Sequence, residues 1–420
     1  MGSILIKNAI IITQDEKRNI VKGDILIEGN RISKVGVVND SADIIIDADG
    51  KVAMPGLINT HAHVAMAHLK AMLDDITLDR FLEKTFKLDS ERTEKGIYNS
   101  SLVGIAEMID SGITSFHDLY YSEDVIARAV RDSGIRGFLS WVTLDEEYTT
   151  QKGSPIKNAE KFISSVEKSE YIYPSVGVQG IYVASDETYN SCRELADKMG
   201  CTIHTHLSET RKEVYEFASK HDGERPVEHL YKIGFLSDKL IAAHSSFVTM
   251  HEVRLLSKSL TNVSWNAISN CKLGTGGTPP IPEMQSNGIT VSLGTDSNGS
   301  NNSLNMFEEM KFSSLIIKNS RWDPTLMPSQ NILDMATVNA ARSLGMKDLG
   351  SISSGYLADL ILIDMKAPNL LPVSIENAVS KIVYSANPSN VDTVIINGKI
   401  VKHGHSMLRR IKAFGIEEMI

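Results

Sequence analysis

The sequence predicts an α/β protein: a (β/α)8 TIM-type barrel with a flanking β-sandwich formed by both chain termini. Three observations carry that expectation. Between residues 55 and 347, short β-branched runs alternate with amphipathic helical stretches. The first fifty residues and the last seventy are instead strand-rich and punctuated by turns. Histidines and an aspartate recur at the ends of the middle strands, on the rim where such barrels carry their chemistry.

The N-terminal part, 1–54, contains Ile4-Leu-Ile6, Ala9 to Thr13, Asp24 to Ile27 and Ile44-Ile-Ile46, separated by Asn30, Asn39-Asp40 and Asp49-Gly50. The barrel, 55–347, has candidate strands Gly56 to His61, Ile113 to His117, Gly137 to Val142, Pro174 to Val178, Thr202 to His206, Leu240 to His244, Asn262 to Asn266 and Ile289 to Gly294. Helical periodicity falls on Glu94 to Ser111, Ser122 to Ser133, Ser185 to Met199 and Thr249 to Ser257. The C-terminal part, 348–420, returns to strands at Ala358 to Asp364 and Val391 to Val401. Turns near Met54-Pro-Gly56 and Gly345 to Gly355 link the two units. A doubly wound open sheet is disfavoured, because no Gly-x-Gly-x-x-Gly follows the first barrel strand.

Composition narrows the function classes. The 420 residues are ample for one large domain and a smaller one, and 42% hydrophobic with 23% charged content is ordinary for a soluble globular chain. A net charge of −9 with no basic run argues against a nucleic-acid partner. Cys192, Cys201 and Cys271 cannot close a disulfide framework and include no Cys-x-x-Cys, which fits a reducing cytoplasm and excludes a zinc ribbon. The start lacks a signal peptide, Ile6 spoils a myristoylation motif, and no run is long enough to span a bilayer, so no membrane association is expected. A homo-oligomer is compatible with such a chain.

His61 and His63 end the first barrel strand. At i and i+2 they share a face and can hold one ion from one side. Catalytic zinc sites use three protein ligands and leave a position for water. His206 and His244 end the fifth and sixth strands, and Asp296 follows the eighth. Three neutral imidazoles and a carboxylate suit zinc or another first-row divalent ion better than magnesium or calcium. Such an ion lowers the pKa of bound water. Glu209, just past His206, stands where a carboxyl group could carry a proton from that water to a substrate; its plain alternative is a helix N-terminal Glu favoured by the dipole. His204 shares the face of His206 and competes as a ligand, but His206 lies nearer the strand end. His117-Asp118 reads as a structural pair. Gly274-Thr-Gly-Gly277 lacks the Lys-Ser/Thr of a phosphate loop.

Taken together, Pro55-Gly-Leu-Ile-Asn-Thr-His-Ala-His63, His206-Leu-Ser-Glu-Thr210, Ala243-His244, Leu293-Gly-Thr-Asp-Ser297, Ser300 to Asn305 and Gly355-Tyr-Leu-Ala-Asp-Leu360 resemble the amidohydrolase superfamily. The resemblance spans nearly the whole chain. It is nearest to the aminohydrolase branch of methylthioadenosine/S-adenosylhomocysteine deaminases and triazine chlorohydrolases. It implies one divalent metal ion, zinc foremost and Fe2+ as the alternative, held by His61, His63, His206 and Asp296. It also implies that His244 orients the attacking water, that Glu209 protonates a ring nitrogen, and that Asp296 helps deprotonate the water. Hydroxide then adds to an amino-bearing ring carbon and ammonia leaves. No carboxylated lysine is expected, since the fourth strand ends Val178-Gln-Gly180.

Departures from that branch concern the substrate. Asp89, with Glu91 close by, stands near the usual ribose-binding Glu; Trp141 replaces an Arg; Gly180-Ile-Tyr182 replaces Pro-His-Ser; and Trp265-Asn-Ala267 replaces His-Asn-Pro. Asp89, Glu209, His244, Trp141 and Trp265 are therefore the expected substrate contacts, with a small heterocycle as partner. Deamination of an adenine nucleoside derivative leads; guanine, a pterin or a triazine is the alternative substrate. A non-catalytic binding module would show broken ligands, and none is broken. The deaminase fold built on His-x-Glu and Pro-Cys-x-x-Cys is excluded by the cysteine pattern.

Overall fold

The computed structural model describes residues 2–167, 169–408 and 415–419; the remainder of the C-terminal part, 409–414 and 420, lies outside them. The N-terminal strands are β1 (Ser3–Ile12), β2 (Ile20–Glu28), β3 (Arg31–Gly36), β4 (Ile44–Asp47) and β5 (Lys51–Pro55). The barrel follows as β6 (Leu57–Ala62), β7 (Ile113–Tyr120), β8 (Arg136–Thr143), β9 (Ile172–Val178), β10 (Ile203–Leu207), β11 (Leu240–His244), β12 (Asn262–Trp265) and β13 (Val291–Leu293). The chain ends with β14 (Leu360–Asp364), β15 (Val391–Ile396), β16 (Lys399–His403) and β17 (Ser406–Met407).

All eight expected barrel strands are present, and they pair in parallel in sequence order from β6 to β13. Closure between the last strand and the first runs through side chains as well as backbone. Asn59 Nδ2 donates to Thr295 Oγ1 at 2.7 Å, the Thr295 amide donates back to Asn59 Oδ1 at 3.0 Å, and the Asp296 amide donates to the His61 carbonyl at 2.9 Å. Gly294 is required at that seam: a Cβ there would stand 2.5 Å from Asn266 Oδ1 and 2.7 Å from His61 Cβ.

The unit built from both termini is a mixed sheet of nine strands, in which β5 pairs with β1 on one side and β14 on the other. Its isoleucine-rich face buries Ile6, Ile11, Ile25, Ile27, Leu360 and Leu362 in a core of its own. No helix among the described residues is long and apolar enough to cross a membrane.

One buried ion pair ties this sheet to the barrel. Arg136, at the start of β8, donates from Nε and Nη2 to Asp359 at 3.0 and 2.9 Å, and both side chains are almost wholly inaccessible. The Asp359 carboxylate also accepts the Asn397 amide at 2.7 Å. Removing one partner of such a pair strands a buried charge, so Arg136→Ala is expected to destabilise the fold by about 3–5 kcal/mol. Denaturant unfolding checks this; a loss below about 1 kcal/mol would mean water reaches the pair.

Candidate active site

The rim at the C-terminal ends of the barrel strands gathers the predicted residues. His61 and His63 come from the end of β6, His206 from β10, His244 from β11, and Asp296 from just past β13. The ligand atoms of His61, His63 and His206 lie within 4.8 Å of one another, as do those of His61, His244 and Asp296. His244 and Asp296 have φ of +68° and +63°, backbone that non-glycine residues seldom adopt and that concentrates at functional sites.

The outer ring nitrogens decide which atoms face the centre. His63 Nδ1–H donates to the Leu119 carbonyl at 2.6 Å, and His206 Nδ1–H donates to the Gln179 carbonyl at 2.5 Å. With neutral rings both Nε2 atoms carry lone pairs, and they face each other at 3.3 Å. Two lone pairs at that distance repel unless a cation lies beside them. His61 Nδ1 shares a proton with His204 Nε2 at 2.9 Å; placed on His61, that proton leaves the buried, otherwise unpartnered His61 Nε2 free as a third donor. Asp296 Oδ1 approaches His63 Nε2 at 3.2 Å and His61 Nε2 at 3.6 Å. Its other oxygen accepts from Ser269 at 2.6 Å and Ser300 at 2.9 Å, which sets the plane of the carboxylate. This nitrogen-rich set with one carboxylate fits a divalent first-row ion.

Burial favours the neutral form of His61 and His206, pushing His61 down to about 3 and His206 well below its usual value. At His63 burial is outweighed by the Asp296 carboxylate beside it, which raises that ring above its usual value. At Asp296 burial acts upward, yet the neighbouring His61 and His63 rings hold the carboxyl well below the ordinary range.

His204 belongs to neither group of converging ligand atoms. It lies deeper, stacked on His117 with ring centroids 4.0 Å apart, and orients His61 from behind. His244 differs from His61, His63 and His206 in its tautomer. Its Nδ1 accepts from Asn270 at 2.9 Å and Asn266 at 3.2 Å, so Nε2 carries the proton and serves as a donor toward the centre. Glu209 Oε2 is 3.8 Å from that Nε2. Burial, then the Asp296 charge, pushes the Glu209 carboxyl up to about 8, which keeps it protonated near neutrality.

A cavity opens onto these groups, lined by His63, His206, Glu209, His244 and Asp296 and, farther out, by Asp89, Tyr121, Tyr148, Gln151 and Tyr182. The helix Leu78–Ser90 forms one wall with Phe81, Leu82, Thr85, Phe86 and Asp89. Asp89 accepts from the Tyr120 hydroxyl, and Arg92 donates to that same hydroxyl at 2.9 Å and to the Met419 carbonyl at 3.1 Å. Burial pushes Asp89 up to about 6, against the pull of Tyr120 and Arg92. Glu91 is exposed at the end of the helix.

The two tryptophans expected to touch substrate do not line this cavity. Trp265 follows Ser264, whose hydroxyl meets Thr60 inside the barrel at 2.7 Å, so strand alternation turns the indole outward into the core, where it is 1% exposed. Trp141 likewise follows the inward Ser140. Its ring packs on Phe162, and its Nε1–H donates to Gln151 at 2.9 Å, so it supports a cavity wall from behind. Applied to the tryptophans, strand parity would have found both placements. The helix Leu78–Ser90 was missed as an element, although Phe81, Thr85 and Asp89 recur at i, i+4 and i+8.

The amidohydrolase family profile matches residues 52–401, and the chain belongs to that family. It is a hydrolase with a metal-binding site in a TIM-type barrel. A 5′-deoxyadenosine deaminase of Methanosarcina mazei is 38% identical, over 97% of this chain and 94% of its own. A 5-methylthioadenosine/S-adenosylhomocysteine deaminase of Pyrococcus furiosus is 39% identical, over 95% and 94% of the two chains. Among solved structures, an adenosine deaminase from Xanthomonas campestris with bound zinc superposes with a TM-score of 0.92 at 25% identity, covering 97% of this chain and 94% of its own.

Proposed function

We propose that this chain is a hydrolytic deaminase of an adenine nucleoside derivative, working with one divalent ion, zinc foremost, held by His61, His63, His206 and Asp296. The observation that carries the reading is the buried Glu209 carboxyl, raised in pKa to about 8, beside the converging ring nitrogens of His61, His63 and His206. The deaminase names of the relatives support the substrate class. When bound, the ion supplies Lewis acidity that makes water nucleophilic near neutral pH.

The chain's own groups do the rest. Asp296 accepts a proton from the attacking water through the oxygen facing the histidines. Glu209 delivers a proton to the ring nitrogen next to the reacting carbon, and the His244 Nε2–H donates to the oxygen that adds there. The amino group takes the proton that Asp296 accepted and leaves as ammonia, while the proton on the added oxygen returns to Glu209, so the adenine ring becomes its 6-oxo counterpart. Asp89 is the cavity's remaining carboxylate and suits the vicinal hydroxyls of a ribose. Cys192, Cys201 and Cys271 form no disulfide, which supports a cytoplasmic setting.

Asp89→Ala is expected to raise KM about 10-fold or more with kcat little changed, the size of one charged hydrogen bond. Steady-state kinetics on adenosine against 2′-deoxyadenosine checks this; equal KM values in variant and parent would remove Asp89 from substrate binding. The function itself is tested by ammonia release from 5′-deoxyadenosine, methylthioadenosine, S-adenosylhomocysteine and adenosine, beside guanine and a chlorotriazine. Turnover of an adenosine derivative is expected. Silence on all of them with metal bound would overturn the reading.

A further inference from the structure

Glu209 stands on a bend, Ser208 to Thr210, between β10 and the helix Arg211–Lys220. Ser208 has φ of +47°, so the bend follows neither strand nor helix and its amides need acceptors from elsewhere. One side chain supplies them. Glu213 Oε1 accepts the Ser208 amide at 3.0 Å, and its Oε2 accepts those of Glu209 at 2.8 Å and Thr210 at 3.4 Å. An ordinary capping box would use only the Thr210 amide, with Thr210 Oγ1 accepting the Glu213 amide in return, here at 2.9 Å. The Ser208 and Glu209 amides lie beyond that motif, so helix capping does not account for them. The same bend is tied from the opposite side, where the Ser246 and Phe247 amides of the segment after His244 donate to the Ser208 carbonyl at 3.1 and 3.0 Å.

We infer that Glu213 is a positioning residue: its carboxylate clamps the Ser208–Thr210 bend and so fixes where the Glu209 carboxyl stands relative to His244 and the metal ligands. The inference rests on the proton-carrying role proposed for Glu209. A glutamine at 213 keeps one acceptor oxygen but turns an NH2 toward a backbone amide, which opens the clamp. Thr210→Ala removes only the helix cap.

The test uses the zinc-loaded enzyme and four variants: Glu213→Gln, Thr210→Ala, Glu209→Gln and the Glu209→Gln/Glu213→Gln double variant. Glu213→Gln is expected to lower kcat about 10–100-fold with KM within about 3-fold and metal content unchanged. Thr210→Ala should hold kcat within about 2-fold while lowering the melting temperature. In the Glu209→Gln background, the Glu213 change should cost nothing more, because a residue acting only through Glu209 has nothing left to position. Backbone hydrogen exchange at residues 208–210 should quicken in Glu213→Gln but not in Thr210→Ala. Equal effects of Glu213→Gln and Thr210→Ala, a full further loss in the double variant, or unchanged exchange would each overturn the inference. If the parent enzyme releases no ammonia from any adenosine derivative, the proposed function fails, while the exchange comparison still decides the clamp.

Discussion

Glu209→Gln is expected to lower kcat about 100- to 10,000-fold, the usual worth of a positioned general acid, while the protein keeps its metal. Glutamine preserves the volume and one acceptor oxygen but cannot deliver a carboxylic proton. Glu209 is absent from both groups of converging ligand atoms, so metal content has no reason to change. Its carboxyl lies 3.8 Å from a ring nitrogen of His244, and burial with the Asp296 charge holds its proton on. Steady-state kinetics with metal analysis on the same preparation checks both halves. A variant with normal kcat would move the proton transfer to another group; one that lost its metal would make Glu209 part of the metal's surroundings.

The second large effect concerns the ion. His206→Ala should weaken metal binding by more than about 100-fold, because losing even an outer partner of a ligand costs 10–100-fold. Activity should vanish at metal concentrations that saturate the parent. The substitution removes one of the two opposed Nε2 donors and leaves the Gln179 carbonyl without its 2.5 Å donor. Zinc should also stabilise the parent by mass action, about 2.7 kcal/mol at a hundredfold excess over Kd, and that gain should disappear in the variant. Metal stoichiometry after dialysis, together with melting curves with and without zinc, checks this. Full zinc retention would remove His206 from the ligand set.

Much of this site is local in origin. A strand shows alternate side chains on one face, so His61 with His63, and His204 with His206, could be assigned to shared faces from spacing alone. A barrel presents strand ends on one rim, which brings β6, β10, β11 and the segment after β13 together before any coordinates are known. The tryptophans failed for a related reason. Residue type alone points to Trp141 and Trp265 as substrate contacts, but one position along a strand separates the barrel interior from the helix layer. The helix Leu78–Ser90 carries its own signal in Phe81, Thr85 and Asp89 but lies outside the β/α alternation that organised the reading.

By itself the sequence determined the barrel, the unit built by both termini and the residues at the rim, because strand period and chain order are properties of a neighbourhood along the chain. Only the tertiary structure decided how each rim residue acts. His61, His204 and His206 are the same side chain on the same kind of strand. Which ring nitrogen a rim histidine turns to the centre follows from whether the opposite one meets a carbonyl, as in His206, another imidazole, as in His61, or, at His244, two side-chain amides. Those partners come from Gln179, His204, Asn266 and Asn270, on other strands, loops or helices. A hydrogen bond depends on distance and direction in space, and those exist only once the barrel has closed.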